Sequence, residues 1–319
     1  MKENENRVTI NDVARLAGVS AQTVSRAFSN TSYIKKETKD KVMECAKELN
    51  YVPNSIAKSF RNGSSKKIAI VFDTLKNLYF SILIDYLSAE VFKLGYSLDT
   101  YFVGEHRLTC DIYRNIISNG DDGIISLLEV DDDVENLVKQ YNLPILIAGR
   151  ASNSNCINYI CSNDFDGGKI AALELIKLKC KNYLYIGEIP GITCSKLRFN
   201  GFNSILKDNR ITPKEVYTYN DVTKELDILN SSGYEFDGIF CFNDMIAYET
   251  RKYLKRLNIK ASIIGYDGLF QDIDILSHIR TITINKKNFA KKIAETMIAI
   301  VQGDNSKIVH EEIEPFLIK

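Results

Sequence analysis

The sequence of 319 residues has little of what a metal centre or a disulfide framework needs. Its seven cysteines occur without a two-residue spacing, and only Cys156 and Cys161 lie close together along the chain. The three histidines, at 106, 278 and 310, are separated by many more residues than one helical turn contains. Zinc ribbons and helical zinc proteases depend on those spacings, so we expect neither a metal site nor disulfides.

The sequence also lacks the motifs of common enzyme classes. None of the motifs GxGxxG, GxxxxGK[ST] and GxSxG occurs in the sequence. Residues Ser55 to Lys58 match the S-x-x-K motif, but we attribute this match to chance because they lie in the short helical segment expected at 54–61. We therefore expect no catalytic residues, no cofactor and no enzyme activity.

Long hydrophobic runs are missing as well. The polar N-terminus, Met1 to Asn6, leads into no apolar stretch, which favours a protein without a signal peptide or a membrane span. A hydrophobic fraction of 45% and a charged fraction of 26% are typical of a globular protein, and the length predicts two or three domains. We expect the protein to be cytoplasmic.

A surplus of charge of one sign is absent overall, but the charges are unevenly distributed. Residues 1–66 hold 12 lysines and arginines against 7 acidic residues, whereas residues 67–319 hold 29 against 34. This asymmetry predicts a basic module joined to an acidic body with a different task.

The basic module has the pattern of three short helices. Thr9 precedes a helix that Gly18 ends, Ser20 precedes a second helix from Ala21 to Phe28, and a third helix runs from about Lys36 to Leu49. Two short helices joined by a glycine-containing turn predict a helix-turn-helix.

The second helix has a polar face suited to DNA. Gln22, Thr23, Ser25 and Arg26 point away from its apolar side. Glutamine can bind adenine and arginine can bind guanine with two hydrogen bonds each, while hydroxyls suit phosphates and bases. The alternative is a helical bundle that serves packing alone.

The run from Val8 to Arg26, with its continuation at 38–42 and 48–54, resembles the N-terminal signature of the lactose-repressor/galactose-repressor (LacI/GalR) family of transcriptional regulators. The resemblance implies that Ala21, Gln22 and Arg26 read bases in the major groove of double-stranded operator DNA. It also implies phosphate contacts by Thr9, Ser20, Thr23, Ser25 and Tyr51.

Residues 54–61 resemble the hinge helix of that family. A helix of this length is marginal in water, so we expect it to form when two copies pair on DNA, as a homodimer. The resemblance implies that Phe60 enters the minor groove where relatives have leucine, and that Asn54, Ala57 and Lys58 add contacts. The alternative packs Phe60 against the body. We expect a DNA-binding domain at 1–61 and a linker at 62–66.

Strands and helices alternate after the linker. Strands are predicted at 67–72, 97–103, 123–127, 144–148, 157–161, 182–187, 215–219, 237–241 and 261–265. Helices are predicted at 79–94, 109–119, 132–141, 164–179, 195–207, 222–232, 243–257 and 287–302. This alternation predicts an α/β body with two doubly wound parallel sheets, whose ligands bind at the carboxyl ends of strands.

The body resembles the periplasmic-binding-protein-like core of the same family, with crossovers near 150–160 and 280–290. The resemblance implies an effector-binding and dimerisation core at 67–319, with one lobe at about 67–160 and 285–305 and the other at about 161–284 and 306–319. The chain ends without a heptad tail, so we expect a dimer.

The resemblance implies that Arg198, Asn243 and Asp267 line the effector pocket and that Asp73 and Asn77 face it from the first strand-helix loop. These groups suit a sugar or sugar phosphate first, and a nucleoside or nucleobase second. As alternatives, Arg198 makes a salt bridge between the lobes, Asn243 caps a helix, or Asp267 serves a turn.

Three positions depart from the family pattern: Gly149 where many relatives have an aspartate, Asn285 where a proline is common, and Asn163-Asp164 in reversed order. We expect a repressor of a carbohydrate operon that a sugar effector releases from a palindromic operator. The alternatives are a nucleobase corepressor and a response to a protein partner.

Overall fold

The computed structural model separates the chain into two compact units, Met1–Ser65 and Lys66–Lys319, called here the head and the body. The residues it describes are 8–28, 34–52, 63–104, 106–218, 221–269, 272–273, 279–304 and 307–319. The expected hinge helix at 54–61, with Asn54, Ala57, Lys58 and Phe60, lies outside the described residues, and so does the first residue of the expected linker.

The described part of the head contains three helices at the predicted places: α1 (Ile10–Ala17), α2 (Ala21–Ala27) and α3 (Lys36–Glu48). Thr9 is the N-cap of α1, where the Asp12 carboxylate accepts hydrogen bonds from the Thr9 amide at 2.9 Å and from its hydroxyl at 2.7 Å. Gly18 ends α1 with φ of 66°, a left-handed conformation that favours glycine.

The three helices share one small core. Val13, Ala17, Val24 and Val42 have no exposed surface, and Phe28 packs against them from the end of α2. Because α1 and α2 both bury apolar side chains in this core, the turn between them is held in place and the direction of α2 is fixed.

Strands and helices alternate through the body. The strands are β1 (Lys67–Phe72), β2 (Ser97–Phe102), β3 (Arg107–Leu108), β4 (Gly123–Ser126), β5 (Glu129–Val130), β6 (Ile145–Ala148), β7 (Asn158–Ser162), β8 (Tyr183–Gly187), β9 (Lys214–Tyr217), β10 (Gly238–Cys241), β11 (Ser262–Tyr266), β12 (Arg280–Thr283), β13 (His310–Ile313) and β14 (Phe316–Ile318). The helices are α4 (Leu78–Lys93), α5 (Cys110–Asn119), α6 (Val134–Tyr141), α7 (Asp164–Lys177), α8 (Thr193–Asp208), α9 (Val222–Ser231), α10 (Asp244–Leu257) and α11 (Lys286–Val301).

The strands form two six-stranded sheets and a small pair, which confirms the predicted α/β class with two doubly wound lobes. The sheet of the first lobe has the order β13-β7-β6-β4-β1-β2, and that of the second lobe has the order β14-β12-β11-β10-β8-β9. Neighbouring strands are parallel except β12 and β14. Each sheet has a buried apolar cluster on both faces, so helices cover both sides.

The predicted division of the body was wrong for one segment. Residues from about 306 to 319 were assigned to the second lobe, but β13 pairs with β7 in the first sheet, and the chain crosses over at Glu314 and Pro315 before β14. The boundary expected at about 160 lies within two residues of the end of β7 at Ser162. The error concerns a short segment whose lobe is decided by strand pairing across the molecule.

Within the described residues, no helix combines the length and apolar character needed to cross a membrane. No group of three or more histidine, cysteine or acidic side chains in the same residues is placed to hold a metal ion.

Candidate functional site

The exposed face of α2 is the candidate DNA-reading surface of the head. Gln22 and Arg26 are exposed and lie one turn apart, opposite the buried Val24 and Ala27. The Ser20 hydroxyl accepts a hydrogen bond from the Thr23 amide at 3.1 Å, which caps α2. The long polar side chains of Gln22 and Arg26 therefore extend from α2, whose first turn is held in place by the Ser20 cap.

The other expected DNA contacts of the head have structural roles as well. Ala21 is half-buried against the head core, and the ring of Tyr51 lies edge-on to Phe28 with centroids 5.8 Å apart. The Thr23 hydroxyl lies 2.9 Å from that of Ser20, Ser25 is half-buried, and Thr9 is exposed at the start of α1.

The candidate effector pocket lies at the carboxyl ends of the strands of the body. Asp73 directly follows β1, Glu188 follows β8, and Asp267 follows β11. Arg150 stands two residues after β6, and Asn243 two residues after β10. Sequence analysis named Asp73, Asn243 and Asp267 but missed Arg150 and Glu188, although a charged residue just after an apolar strand was a usable signal.

Arg198 lies buried on α8. Its Nε donates to Asp164 Oδ1 at 2.8 Å and its Nη1 donates to the carbonyl of Phe242 at 2.6 Å. The guanidinium also lies 3.5 Å from the ring centroid of Tyr266. Asp164 and Arg198 are on helices that cover the same sheet, so the alternative of a salt bridge between lobes is wrong.

Two glycines allow the helices α7 and α8 to approach this closely. A Cβ on Gly168 would lie 2.0 Å from the backbone oxygen of Arg198, and one on Gly201 would lie 1.8 Å from the backbone oxygen of Phe165. Backbone packs directly on backbone here, which places Arg198 beside Asp164.

Asp267 has an unusual backbone conformation for a residue with a side chain, with φ of 105°. Its carbonyl accepts hydrogen bonds from the Thr283 hydroxyl at 2.9 Å and from Lys286 Nζ at 3.0 Å, which hold that conformation. Asp267 is 7% exposed, and burial raises the pKa of its carboxyl well above the ordinary value. Its carboxylate takes part in none of the hydrogen bonds seen in the described part of the chain.

Asn243 and Asp244 begin α10. Asn243 Oδ1 accepts from the amide of Ile246 at 2.8 Å, so the predicted alternative of a helix cap is a role that the structure shows. Asp244 Oδ2 accepts from the amide of Leu269 at 2.7 Å, while its Oδ1 is buried without a hydrogen-bond partner. Burial raises the pKa of Asp244 to about 7.

Asn77 caps α4, because its Oδ1 accepts from the amide of Tyr79 at 3.1 Å. Tyr79, which sequence analysis missed, packs from this turn against the apolar cluster of the second lobe. Burial raises the pKa of Tyr79, with the charge of Asp267 adding to the rise and that of Arg198 opposing it. Tyr79 thus lies close to the second lobe although its helix belongs to the first.

Asp73 follows a strand of the first lobe and Glu188 follows a strand of the second. Asp73 Oδ2 lies 2.5 Å from His106 Nδ1, and Asp73 Oδ1 is buried without a hydrogen-bond partner. Burial raises the pKa of Glu188, Arg150 lowers it, and Asp73 raises it. These carboxylates are acceptors that a ligand with hydroxyl groups can satisfy.

Comparison with known proteins agrees with this architecture. Residues 9–54 match the family model described as bacterial regulatory proteins, lacI family. The sucrose operon repressor of Streptococcus mutans is 32% identical over 302 residues, which cover 91% of each chain. The chain belongs to the LacI family.

Other members of the LacI family match over nearly the full length. The HTH-type transcriptional repressor PurR of Mannheimia succiniciproducens is 26% identical over 97% of each chain. The crystal structure of the lac repressor dimer bound to operator and the anti-inducer ONPF has a TM-score of 0.85 at 22% identity, covering 98% of each chain. This match shows that the present chain shares the fold of the lac repressor chain in that structure.

Polar contacts join the two lobes of this LacI-family body. The Tyr86 hydroxyl of α4 donates to Asp272 Oδ1 at 2.9 Å, and Lys286 Nζ lies 3.1 Å from Asp272 Oδ2. The amide of Thr193 at the start of α8 donates to Glu129 Oε1 of the first lobe at 3.2 Å. These contacts can form only in one relative arrangement of the two lobes, so a movement of one lobe against the other would break them.

Proposed function

We propose that the chain is a sequence-specific DNA-binding repressor that acts as a homodimer in the cytoplasm and is released from a palindromic operator by a small polyhydroxylated effector. The match to the sucrose operon repressor carries this proposal, because it spans 91% of the chain and so includes both head and body. A carbohydrate operon is the proposed target.

On the DNA side, α2 enters the major groove of each half-site. Arg26 binds guanine and Gln22 binds adenine, since both side chains are exposed on one face of the helix. Thr9, Ser20, Thr23, Ser25 and Tyr51 position the head on phosphates, and Ala21 offers a methyl group to thymine. Hinge contacts in the minor groove come from Asn54, Ala57, Lys58 and Phe60.

On the effector side, the proposed contacts are Asp73, Asn243, Asp267 and Arg198. Arg198 is held by Asp164 and by the carbonyl of Phe242, so it presents its remaining donor atoms in a fixed direction. Asn77 acts through its helix-capping bond and so sets the position of Tyr79. A fixed set of donors and acceptors suits recognition of a ligand by its hydroxyl pattern.

Effector and operator are coupled through the arrangement of the lobes. The contacts of Glu129 with Thr193 and of Tyr86 with Asp272 stabilise one arrangement, and a ligand that binds another arrangement better shifts the population. Couplings of this kind amount to about 1–3 kcal/mol. We expect the shift to separate the starts of the two hinges and weaken operator binding.

Selection of bound duplexes from a random DNA pool by the full-length protein tests the DNA half of the proposal. We expect enrichment of one palindrome of about 16–20 base pairs, because a symmetric dimer reads two half-sites. Enrichment of no sequence at moderate salt contradicts the proposal.

A nucleoside or nucleobase corepressor is the second candidate for the effector. The rings of Phe242 and Tyr266 flank the guanidinium of Arg198, and Tyr79 lies nearby, so aromatic surface borders the pocket. Titration of the selected operator complex with adenine, uracil and their nucleosides separates the candidates. A corepressor tightens the complex, whereas an inducing sugar dissociates it.

A further inference from the structure

The amino end of the second sheet carries a cluster of exposed cations. Residues 177–182 hold three lysines and no acidic residue, and residues 207–214 hold three cations and one acidic residue, Asp208. All six cations are exposed, and none forms an ion pair within the described part of the chain. These cations, called here the basic edge, are Lys177, Lys179, Lys181, Lys207, Arg210 and Lys214.

The fold brings the two segments together. Residues 177–182 lead from α7 into β8, and residues 207–214 lead from α8 into β9. β8 and β9 are neighbouring parallel strands, with Leu184 opposite Lys214. Neighbouring strands lie about 4.8 Å apart, so the cations that precede them share one surface. This surface belongs to a body that has more acidic than basic residues overall.

One carboxylate of the adjoining strand is engaged by the backbone of this surface. Asp237 directly precedes β10, which pairs with β8. Its Oδ1 accepts hydrogen bonds from the amides of Lys181 and Asn182 at 2.9 and 2.8 Å. Asp237 therefore holds the start of β8 in place through main-chain groups and forms no ion pair with the lysine side chains in the described residues.

The ends of α7 and α8 provide a second, independent observation. Lys179 follows α7 with φ of 64°, and Arg210 follows α8 with φ of 61°, a left-handed conformation that favours glycine or asparagine. Among the helices of the described chain, the others that end on a left-handed residue all have glycine or asparagine there, namely Gly18, Asn50, Gly95, Gly120, Asn142, Gly233, Asn258 and Gly303. A long cation stands in this conformation at the ends of α7 and α8.

Helix stability does not account for the basic edge. The helix dipole favours cations in the last turn, which explains Lys177 and the cation Lys207. Lys179, Lys181 and Arg210 follow the helices, and two of these three have a backbone conformation that their side chains disfavour. Mutually repelling charges on a disfavoured backbone point to a function that uses the charge.

A phosphate backbone fits the basic edge better than a protein surface does. Protein interfaces are depleted in lysine and depend on aromatic or apolar anchors. Residues 177–182 and 207–214 expose no aromatic and no large apolar side chain. Phosphate contacts require cations and small polar groups, and Asn182 and Thr212 are exposed among the six cations.

The basic edge lies at one end of the body. The hydroxyl of Ser162, the last residue of β7, lies 2.6 Å from that of Tyr266, the last residue of β11, so the carboxyl ends of the two sheets meet. The amino ends of the sheets are therefore at opposite ends of the body. The chain enters the body at Lys66, directly before β1 of the first sheet. The basic edge is thus at the end of the body away from this entry point.

We propose that the basic edge binds the phosphate backbone of double-stranded DNA without regard to sequence. A protein held on one duplex through its heads then binds a second duplex through its body. This inference goes beyond the proposed function, because the basic edge reads no bases and needs no effector.

A capture assay with the full-length protein tests the inference. The selected operator is immobilised and saturated with protein, free protein is washed away, and a labelled duplex of random sequence is added. If no operator is selected, an immobilised random duplex replaces it, so the test does not depend on sequence-specific binding by the head. We expect retention of the labelled duplex at about 50 mM salt and at least tenfold less at about 200 mM, because phosphate contacts release counterions.

A triple variant tests whether the basic edge holds the second duplex. Lys179→Asn, Lys181→Gln and Arg210→Asn together remove three charges, and asparagine suits the left-handed backbone at 179 and 210. The midpoint of thermal unfolding should therefore equal or exceed that of wild type, while retention of the labelled duplex falls at least fivefold. A purely structural role for these cations predicts no loss of retention in a variant that is as stable as wild type.

The matched control removes three exposed lysines of the first lobe, through Lys76→Gln, Lys139→Gln and Lys307→Gln. It should retain the labelled duplex as wild type does. Poly-L-glutamate, added in place of the duplex, represents an acidic protein partner. The inference is overturned if wild type retains no labelled duplex at low salt, if the basic-edge variant retains as much as wild type, if the control variant loses as much as the basic-edge variant, or if poly-L-glutamate is retained in preference to DNA.

Discussion

Arg26 tests base reading at the scale of one residue. It is exposed on α2 one turn after Gln22, and its guanidinium is the group best suited to guanine. Arg26→Ala should weaken binding to the selected operator by about 1–3 kcal/mol while changing binding to random duplex much less. The two dissociation constants, measured at one salt concentration, check this.

Lys47→Ala is the matched control for Arg26. It removes one positive charge from the exposed last turn of α3. Its effect should be similar on both duplexes, because a general loss of charge weakens all DNA binding alike. An equal loss on both duplexes for Arg26→Ala would exclude a base-reading role.

Asp244 makes the stability of the body depend on pH. Burial raises its pKa to about 7 in the folded state, above the ordinary value of 3.8. The folded protein then keeps a proton that the unfolded chain has lost, so the free energy of unfolding falls as pH rises from about 4 to about 7. Asp244→Asn should remove a part of that fall on the order of 2–4 kcal/mol.

Urea unfolding of wild type and Asp244→Asn at several pH values between 4.5 and 7.5 measures the difference. Asp208→Asn, at the exposed end of α8, is the control and should follow the wild-type curve. Parallel curves for wild type and Asp244→Asn would show that the carboxyl of Asp244 does not titrate in this range.

At the scale of elements, the contact between α7 and α8 sets the position of Arg198. A Cβ at Gly168 would lie 2.0 Å from the backbone oxygen of Arg198, so Gly168→Ala must push the helices apart. We expect a loss of about 2–3 kcal/mol in the free energy of unfolding and weaker effector binding. Gly104→Ala, where a Cβ meets no atom within 4 Å, is the control and should cost little.

A second contact between elements joins the start of α8 to the first lobe. α8 has Ile192 at its N-cap and no side-chain capping bond from it, and Glu129 accepts from the amide of Thr193 instead. Arg107 holds Glu129 in place, with Nη1 2.7 Å from Oε2. The cap of the helix that carries Arg198 thus comes from the opposite lobe.

Removal of this cap should free the amide of Thr193. In Glu129→Ala we expect hydrogen exchange at that amide to accelerate at least tenfold, since its acceptor is lost. Glu135→Ala, which breaks the surface pair with Lys139 in the same lobe, should leave it unchanged. Exchange of Thr193 at the same rate in wild type and Glu129→Ala would show that the lobes do not meet there in solution.

The regular elements were predictable because their patterns are local. α8 was predicted at 195–207 and spans Thr193–Asp208, and β7 was predicted at 157–161 and spans Asn158–Ser162. β12 was not predicted, and neither were β13 and β14, which are short, partly exposed edge strands. The lobes of β13 and β14 depend on pairing with β7 and β12, which no local pattern encodes.

The candidate pocket could be described in part from the sequence. Resemblance pointed to Arg198, Asn243 and Asp267, and the structure places them at one end of the second lobe. The resemblance could not show that Asp164 pairs with Arg198 or that Tyr79 packs against the apolar cluster of the second lobe, because both contacts depend on how helices pack.

At the scale of the whole molecule, the proposed function requires coupling between the head, which is proposed to bind operator DNA, and the body, which is proposed to bind a sugar. The selected operator should bind more weakly when the effective sugar is saturating. By linkage, the sugar should bind more weakly to the operator complex by the same factor, since both ligands act on one equilibrium. A coupling of about 1–3 kcal/mol corresponds to roughly 5–150-fold in each affinity.

The most direct test is therefore a pair of titrations on the full-length protein: operator affinity with and without the sugar, and sugar affinity with and without the operator. We predict that both affinities fall by one common factor of at least fivefold. An operator affinity that no bound sugar changes would contradict the proposed coupling between head and body.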